Sequence, residues 1–233
     1  MTRILVHELA WQARIYLREP MALLYVVAFP LAFVVFQYLR GTGEAAFLLG
    51  FGVAISVAIA NFAGLSINLA TSIERGTITR VFVSPLPLTV HFIARILAPL
   101  GLILVATGLL LLAAHIVFNI NLGTIRPTLL LLALVLGAFT FGALGVMLGV
   151  LAKRTNRASF LSQLVLFPLF VLEFWGKEFP LLWLSPLHGL LLLVQETVTA
   201  GAGRAMLIPS GGILLAWAGV ALAVAAKKAG DAL

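Results

Sequence analysis

Apolar residues run for long stretches along this chain, and charge enters only at intervals. A helix needs about 20 mostly apolar residues to cross a hydrocarbon layer ~30 Å thick, at about 1.5 Å per residue. Runs free of Lys, Arg, Asp and Glu therefore act as rulers. Four are long enough without qualification: Pro20 to Leu39, Ala45 to Ile73, Ile96 to Ile125, and Pro127 to Ala152. Ala158 to Leu172 stops short at Glu173, Phe179 to Gln195 is broken by Pro180, Pro186 and His188, and Ala205 to Ala226 is again long enough. The pattern predicts an all-α polytopic membrane protein with six transmembrane helices. Residues 175–195 form a re-entrant or interfacial element before the last span, where irregular backbone has to be covered by protein or water.

Residues 2–19 differ. At 100° per residue Leu5, Val6, Leu9, Ala10, Ala13, Tyr16 and Leu17 share one face, and Arg3, His7, Arg14 and Arg18 lie opposite. Such a helix lies in the headgroup plane, either as a basic anchor or as an elbow packed on a partner, and Pro20 ends it. The first apolar run follows this charged segment without a small-residue cleavage site, so it is expected to remain as an anchor.

Composition supports this reading. Hydrophobic residues make up 62% and charged residues 10%, against roughly 45–50% and about 25% in soluble domains. Too little charge is present to clothe a water-soluble fold, so the apolar surface faces lipid. With no cysteine, disulfide scaffolds, thiol catalysis and thiolate metal sites are excluded. The net charge of +7 would suggest nucleic acid in a soluble protein. Here it sorts by side. With the amino terminus inside and six spans, Arg3, Arg14, Arg18, Arg75, Arg80, Arg95, Lys153, Arg154, Arg157, Lys227 and Lys228 face the cytoplasm with Glu8, Glu19, Glu74 and Asp231. Arg40, Arg126, Lys177 and Arg204 balance Glu44, Glu173, Glu178 and Glu196 outside. The whole excess is cytoplasmic, as the positive-inside rule requires, and no nucleic-acid partner is called for. Both termini are expected in the cytoplasm.

Several chemistries lack their residues. No acid lies mid-span to carry a proton or sodium relay. His7, His91, His115 and His188 are scattered, no Ser-His or paired-carboxylate arrangement is visible, and no Gly-x-x-x-x-Gly-Lys-Ser/Thr loop is present to cradle phosphate. Polar residues form two stripes: Asn61, Asn68 and Ser72 in the second span, and Ser159, Ser162 and Gln163 in the fifth. Each stripe reads as interhelical hydrogen bonding or as the lining of a pathway. Gly145 and Gly149 in the fourth span, and Ala60 and Gly64 in the second, have the spacing of close helix contacts, within the chain or between subunits.

The segment Thr71 to Leu88 is the most informative. Glu74, Arg75, Gly76 and Thr77 interrupt the apolar run, a short amphipathic stretch with Arg80 and Phe82 follows, and Pro85 and Pro87 stop it. The order Glu74, Arg75, Gly76, Thr77, Arg80, Ser84, Pro85, Leu86 resembles the pattern after the second span in membrane subunits of type-2 ATP-binding-cassette exporters, the permeases of drug, antibiotic and lipid export. It lacks that family's second acidic residue and one spacer. Phe29-Pro30, Phe167-Pro168 and Ser185-Pro186 extend the resemblance over nearly the whole chain. It implies one transmembrane domain, with an elbow helix at 2–19, a coupling segment at 74–90 docked on a separate ATPase subunit, and short external helices at 175–195. It further implies coupling through Glu74, Arg75, Gly76, Thr77 and Arg80, and an external gate near Phe167, Pro168, Glu173, Pro180 and Pro186. ATP and Mg would be bound by the partner ATPase, with no cofactor in this chain. The second membrane subunit would be an identical or a different chain, and the substrate a hydrophobic small molecule or lipid. Composition alone also fits an ATP-independent channel or carrier, or an assembly factor.

Overall fold

The computed structural model describes residues 2–17, 23–41, 44–78, 88–121, 123, 125–175, 180–198 and 207–230. Helices α1 (Thr2–Leu17), α2 (Leu24–Leu39) and α3 (Ala45–Glu74) come first. Helix α4 runs as Leu88–Leu97 and Leu100–Phe118 on either side of a break at Pro99. Helices α5 (Pro127–Ala152) and α6 (Thr155–Trp175), a 3₁₀ turn (Pro180–Leu184), α7 (Pro186–Val198) and α8 (Leu207–Gly230) complete the order. No strand occurs among the described residues.

Five helices are long and apolar enough to cross a membrane, α3, α4, α5, α6 and α8, and α2 is apolar but shorter. The third apolar run, read from sequence as Ile96 to Ile125, is displaced. Its helix already extends from Leu88 and ends at Phe118, where Asn119 takes a left-handed conformation (φ 54°) that closes the last turn. Helix α3 is 30 residues long, about 45 Å at the helical rise, so it tilts or projects beyond the hydrocarbon layer.

Helices α3 and α5 form the centre, with α2, α4, α6, α7 and α8 packed around them and α1 laid across α4. Between helices in lipid, close approach depends on small residues. Helix α5 presents Gly145 to the backbone carbonyls of Asn61 and Phe62, Gly149 to Leu69 and Ser66, Gly142 to Ile96, and Gly137 to Leu190. The Gly145/Gly149 pair thus serves contact within the chain. Helix α7 is no surface element: Leu187, Leu190, Leu191 and Val194 are fully buried, against α3, α5 and α8. In contrast, only 22% of the apolar stretch of α6 and 28% of that of α8 is buried, against 78% for α3, so their outer faces remain for lipid or a second subunit.

Two segments depart from α geometry, Leu24–Ala28 in α2 and Ala58–Gly64 in α3, both π-helical. An i→i+5 turn holds one residue more than an α-turn and shifts the phase of everything beyond it by about 100°. The two segments touch each other, and their neighbourhood is where the cavities lie.

Candidate functional site

Helix α3 ends in the sequence Glu74-Arg75-Gly76-Thr77, and each residue has a separate task. Gly76 takes φ 66°, a left-handed conformation that closes the helix, while Arg75 N–H donates to Thr71 O (3.0 Å) and Gly76 N–H to Ile73 O (3.0 Å). Thr77 Oγ1 donates back to Ser72 O at 3.1 Å, satisfying a carbonyl the helix leaves open. Glu74 Oε2 accepts from the backbone N–H (2.9 Å) and Oγ1 (2.6 Å) of Thr155, the first residue of α6. A carboxylate on a helix N-terminus completes donors that have no partner in the helix. Thr71 Oγ1 lies 2.9 Å from Thr155 Oγ1, adding a second tie between α3 and α6.

Arg75 and Thr77 also face an open cleft of about 810 Å³ between α2, α3 and α6. Its wall at this end is polar: Asn68, Thr71 and Ser72 of α3, and Ser159, Ser162 and Gln163 of α6. Farther along it is apolar, with Tyr25, Val26 and Phe29 of α2, Ile59, Ala60, Ala63, Gly64 and Ile67 of α3, and Leu166, Phe167 and Phe170 of α6. Both π segments contribute to this wall. Phe29, Phe167 and Phe170 are shared with a second cleft of about 550 Å³, lined further by Phe33, Phe51, Phe174, Gln37 and Arg40. The aromatics behind it interlock edge-to-face: Phe51 and Phe174 at 4.6 Å between centroids, Phe47 and Phe174 at 5.5 Å, Phe33 and Phe174 at 5.4 Å.

Of the six residues in the two polar stripes, five line the first cleft and Asn61 does not. A spacing of seven residues keeps Asn61 and Asn68 on one face only in an unbroken α-helix, and the π segment Ala58–Gly64 intervenes. Asn61 is fully buried, and neither its Oδ1 nor its Nδ2 has a partner. Asn68 and Ser72, by contrast, have partners. While lining the cleft, they accept from Arg95 Nη2 of α4, at 2.9 and 2.7 Å. One turn before Arg95, His91 Nδ1 lies 2.9 Å from Glu8 Oε1 of α1, which also accepts from Gln12 Nε2 at 3.0 Å. The elbow helix is thereby fastened to the helix whose arginine holds the polar wall.

The model of the family described as ABC-2 type transporter matches residues 7–173. The chain belongs to the ABC-2 type transporter family. It is therefore a membrane permease subunit of an ABC transporter, and the family implies an ABC ATPase as its partner. No curated protein matches the chain.

Within this permease, Arg80, Ser84, Pro85 and Leu86 lie outside the described residues, as does most of the coupling segment. The residues expected at a gate are dispersed. Phe167 is 70% exposed and lines both clefts, Pro168 is exposed inside α6, Pro180 is exposed at the start of the 3₁₀ turn, and Pro186 is buried at the start of α7. Glu173 is buried, with Oε2 at 2.9 Å from His188 Nδ1 and Oε1 without a partner. Trp183 stands edge-on to His188 at 5.3 Å. The histidines are scattered along the sequence, yet two of them meet buried or half-buried carboxylates, across 83 and 15 positions. Only the three-dimensional packing reveals these pairs. Among the described residues no three such groups converge.

Proposed function

We propose that this permease is one of two membrane subunits of an exporter, seated in the cytoplasmic membrane with both termini and the Glu74 end inside. A second membrane subunit, identical or different, faces the cleft between α2 and α6, and an apolar or amphipathic small molecule or lipid leaves through the space between them. The segment from Glu74 to Arg80 receives motion from the separate ATPase subunit, which binds ATP and Mg. One observation carries this reading: Arg75 and Thr77, part of the turn that closes α3, themselves line the cleft. A displacement of that turn changes the cavity wall without an intermediate element. Glu74 passes the same displacement to α6 through Thr155, so both walls move as packed helices.

Purification of the tagged full chain from its native membrane tests this. A nucleotide-binding subunit is expected to co-elute, and Arg80→Glu is expected to lower transport while leaving the amount of folded permease unchanged. Absence of such a subunit, together with unaltered transport by the variant, would refute the proposal. The chain has no native cysteine, so single cysteines at Glu196 and Lys228 can be labelled cleanly. Labelling of both from one side would overturn the topology.

A further inference from the structure

We infer that the cleft takes a phosphate-headed membrane lipid, its head at Arg75 and its chain along the phenylalanine-lined wall. This rests on the reading of the cleft as the transport pathway and names the class of molecule carried. Charge complementarity is the first argument. Arg75 lines the first cleft and Arg40 the second, which share Phe29, Phe167 and Phe170, and among the described residues no Asp or Glu lines either cavity. Among the described residues neither arginine has a carboxylate within ion-pair distance. Glu74, next in sequence to Arg75, points its Oε2 to Thr155 instead. Arg40 lies 5.6 Å over the ring of Phe36, a contact that leaves its N–H groups available.

The polar wall beside Arg75 suits an oxyanion. Asn68 and Ser72 are held by the Arg95 guanidinium from behind, which places a second positive charge under the groups a headgroup would meet. Guanidinium, amide and hydroxyl groups together match phosphate oxygens, and Arg can engage them in pairs. A cationic amphiphile finds no counter-charge among the described residues of this wall. Between Ile55 and Asn68 α3 rises about 20 Å, and the cavity wall it supplies over that length is apolar. An acyl chain of a membrane lipid has this form.

The bilayer as source follows from exposure. Tyr25, Phe29 and Phe167 border the cleft and are 52%, 45% and 70% exposed, so a lipid enters sideways from the membrane without passing through water. An arginine in each cleft gives the head a resting place before and after it crosses.

The experiment titrates purified full-length permease in neutral detergent with two fluorescent lysolipids of equal chain length, lysophosphatidylglycerol and lysophosphatidylcholine. The anionic probe is expected to bind at least about tenfold more tightly. Arg75→Gln should bring the two within about twofold, Arg75→Lys should keep most of the preference, and Phe167→Ala should weaken both probes alike. Arg126→Gln, a charge change outside the cleft, should leave the preference intact. Equal binding of the probes by the native chain, or equal loss in Arg126→Gln, overturns the inference. No ATPase is needed for binding. Failure of the co-purification therefore sinks the coupling proposal alone, and loss of headgroup preference sinks only the lipid.

Discussion

Gly145→Ala tests whether the bundle is built on backbone contact between α3 and α5. A Cβ at residue 145 would meet the carbonyl oxygen of Asn61 well inside contact distance and that of Phe62 at 3.0 Å. Neither oxygen belongs to a side chain that can turn away, so the helices have to part by about 1 Å. A gap of ~0.5–1 Å forfeits about a quarter to a half of the ~0.1–0.2 kcal/mol that each atom pair contributes. Over roughly 40 such pairs, the number one buried leucine makes, the loss is about 2–3 kcal/mol. Alanine returns ~0.5–1 kcal/mol through its better helical propensity. The net expectation is a destabilisation of about 2 kcal/mol, within the range for overpacked cores. Gly219→Ala in α8 is the control, since nothing within 4 Å meets a Cβ there, and it should be neutral or slightly stabilising. Reversible unfolding of both variants by SDS in mixed micelles measures the difference. Equal midpoints would refute the packing argument.

Three further outcomes are expected. Gly76→Ala forces a side chain into φ 66° and should cost about 1 kcal/mol in the same unfolding assay, whereas Gly76→Asn should cost less; equal costs would count against helix closure as its role. Glu74→Ala and Thr155→Ala remove the two ends of one contact, so the double variant should lose no more transport activity than the worse single one, and additive losses would show that they act separately. His188→Ala leaves the buried carboxylate of Glu173 without its partner and should destabilise by roughly 3–5 kcal/mol; Glu173→Gln on top of it should recover part of the loss, and an unchanged melting temperature in the single variant would count against a buried pair.

Most helices were legible because lipid imposes one rule, long uncharged runs, which the sequence follows at Ala45–Ile73, Pro127–Ala152 and Ala205–Ala226, whereas Thr155–Trp175 spans an uncharged run that stops short at Glu173. The site was legible in part. Charge is so scarce that the cluster Glu74-Arg75-Gly76-Thr77 stands out, and the structure gives it a definite local form in which Gly76 stops α3, Thr77 covers an open carbonyl and Glu74 begins α6. What hydropathy could not carry was phase. A π turn leaves composition untouched yet rotates the residues beyond it, so Asn61 turned away from the stripe that its spacing assigned it. Long-range polar pairs were equally hidden. Glu8 and His91, or Glu173 and His188, have no local spacing that could mark them.

The same scarcity of charge gives the clefts their direction. Most cations of this chain sit at helix ends, where membrane insertion accounts for them. Arg75 and Arg40 also sit at helix ends, but they line the two clefts, and among the described residues no acid lines those clefts with them. An anchor needs only water and headgroups around it, and gains nothing from a polar wall braced from behind. The Arg95 contacts to Asn68 and Ser72 brace such a wall, and the tie from Glu8 to His91 fixes the helix that carries Arg95 to the elbow. Burying Arg95 is costly, and its chain could have been anchored by a solvent-facing lysine at less expense. That cost is understandable when the braced amide and hydroxyl must hold their positions against a charged head while α3 and α6 shift around it.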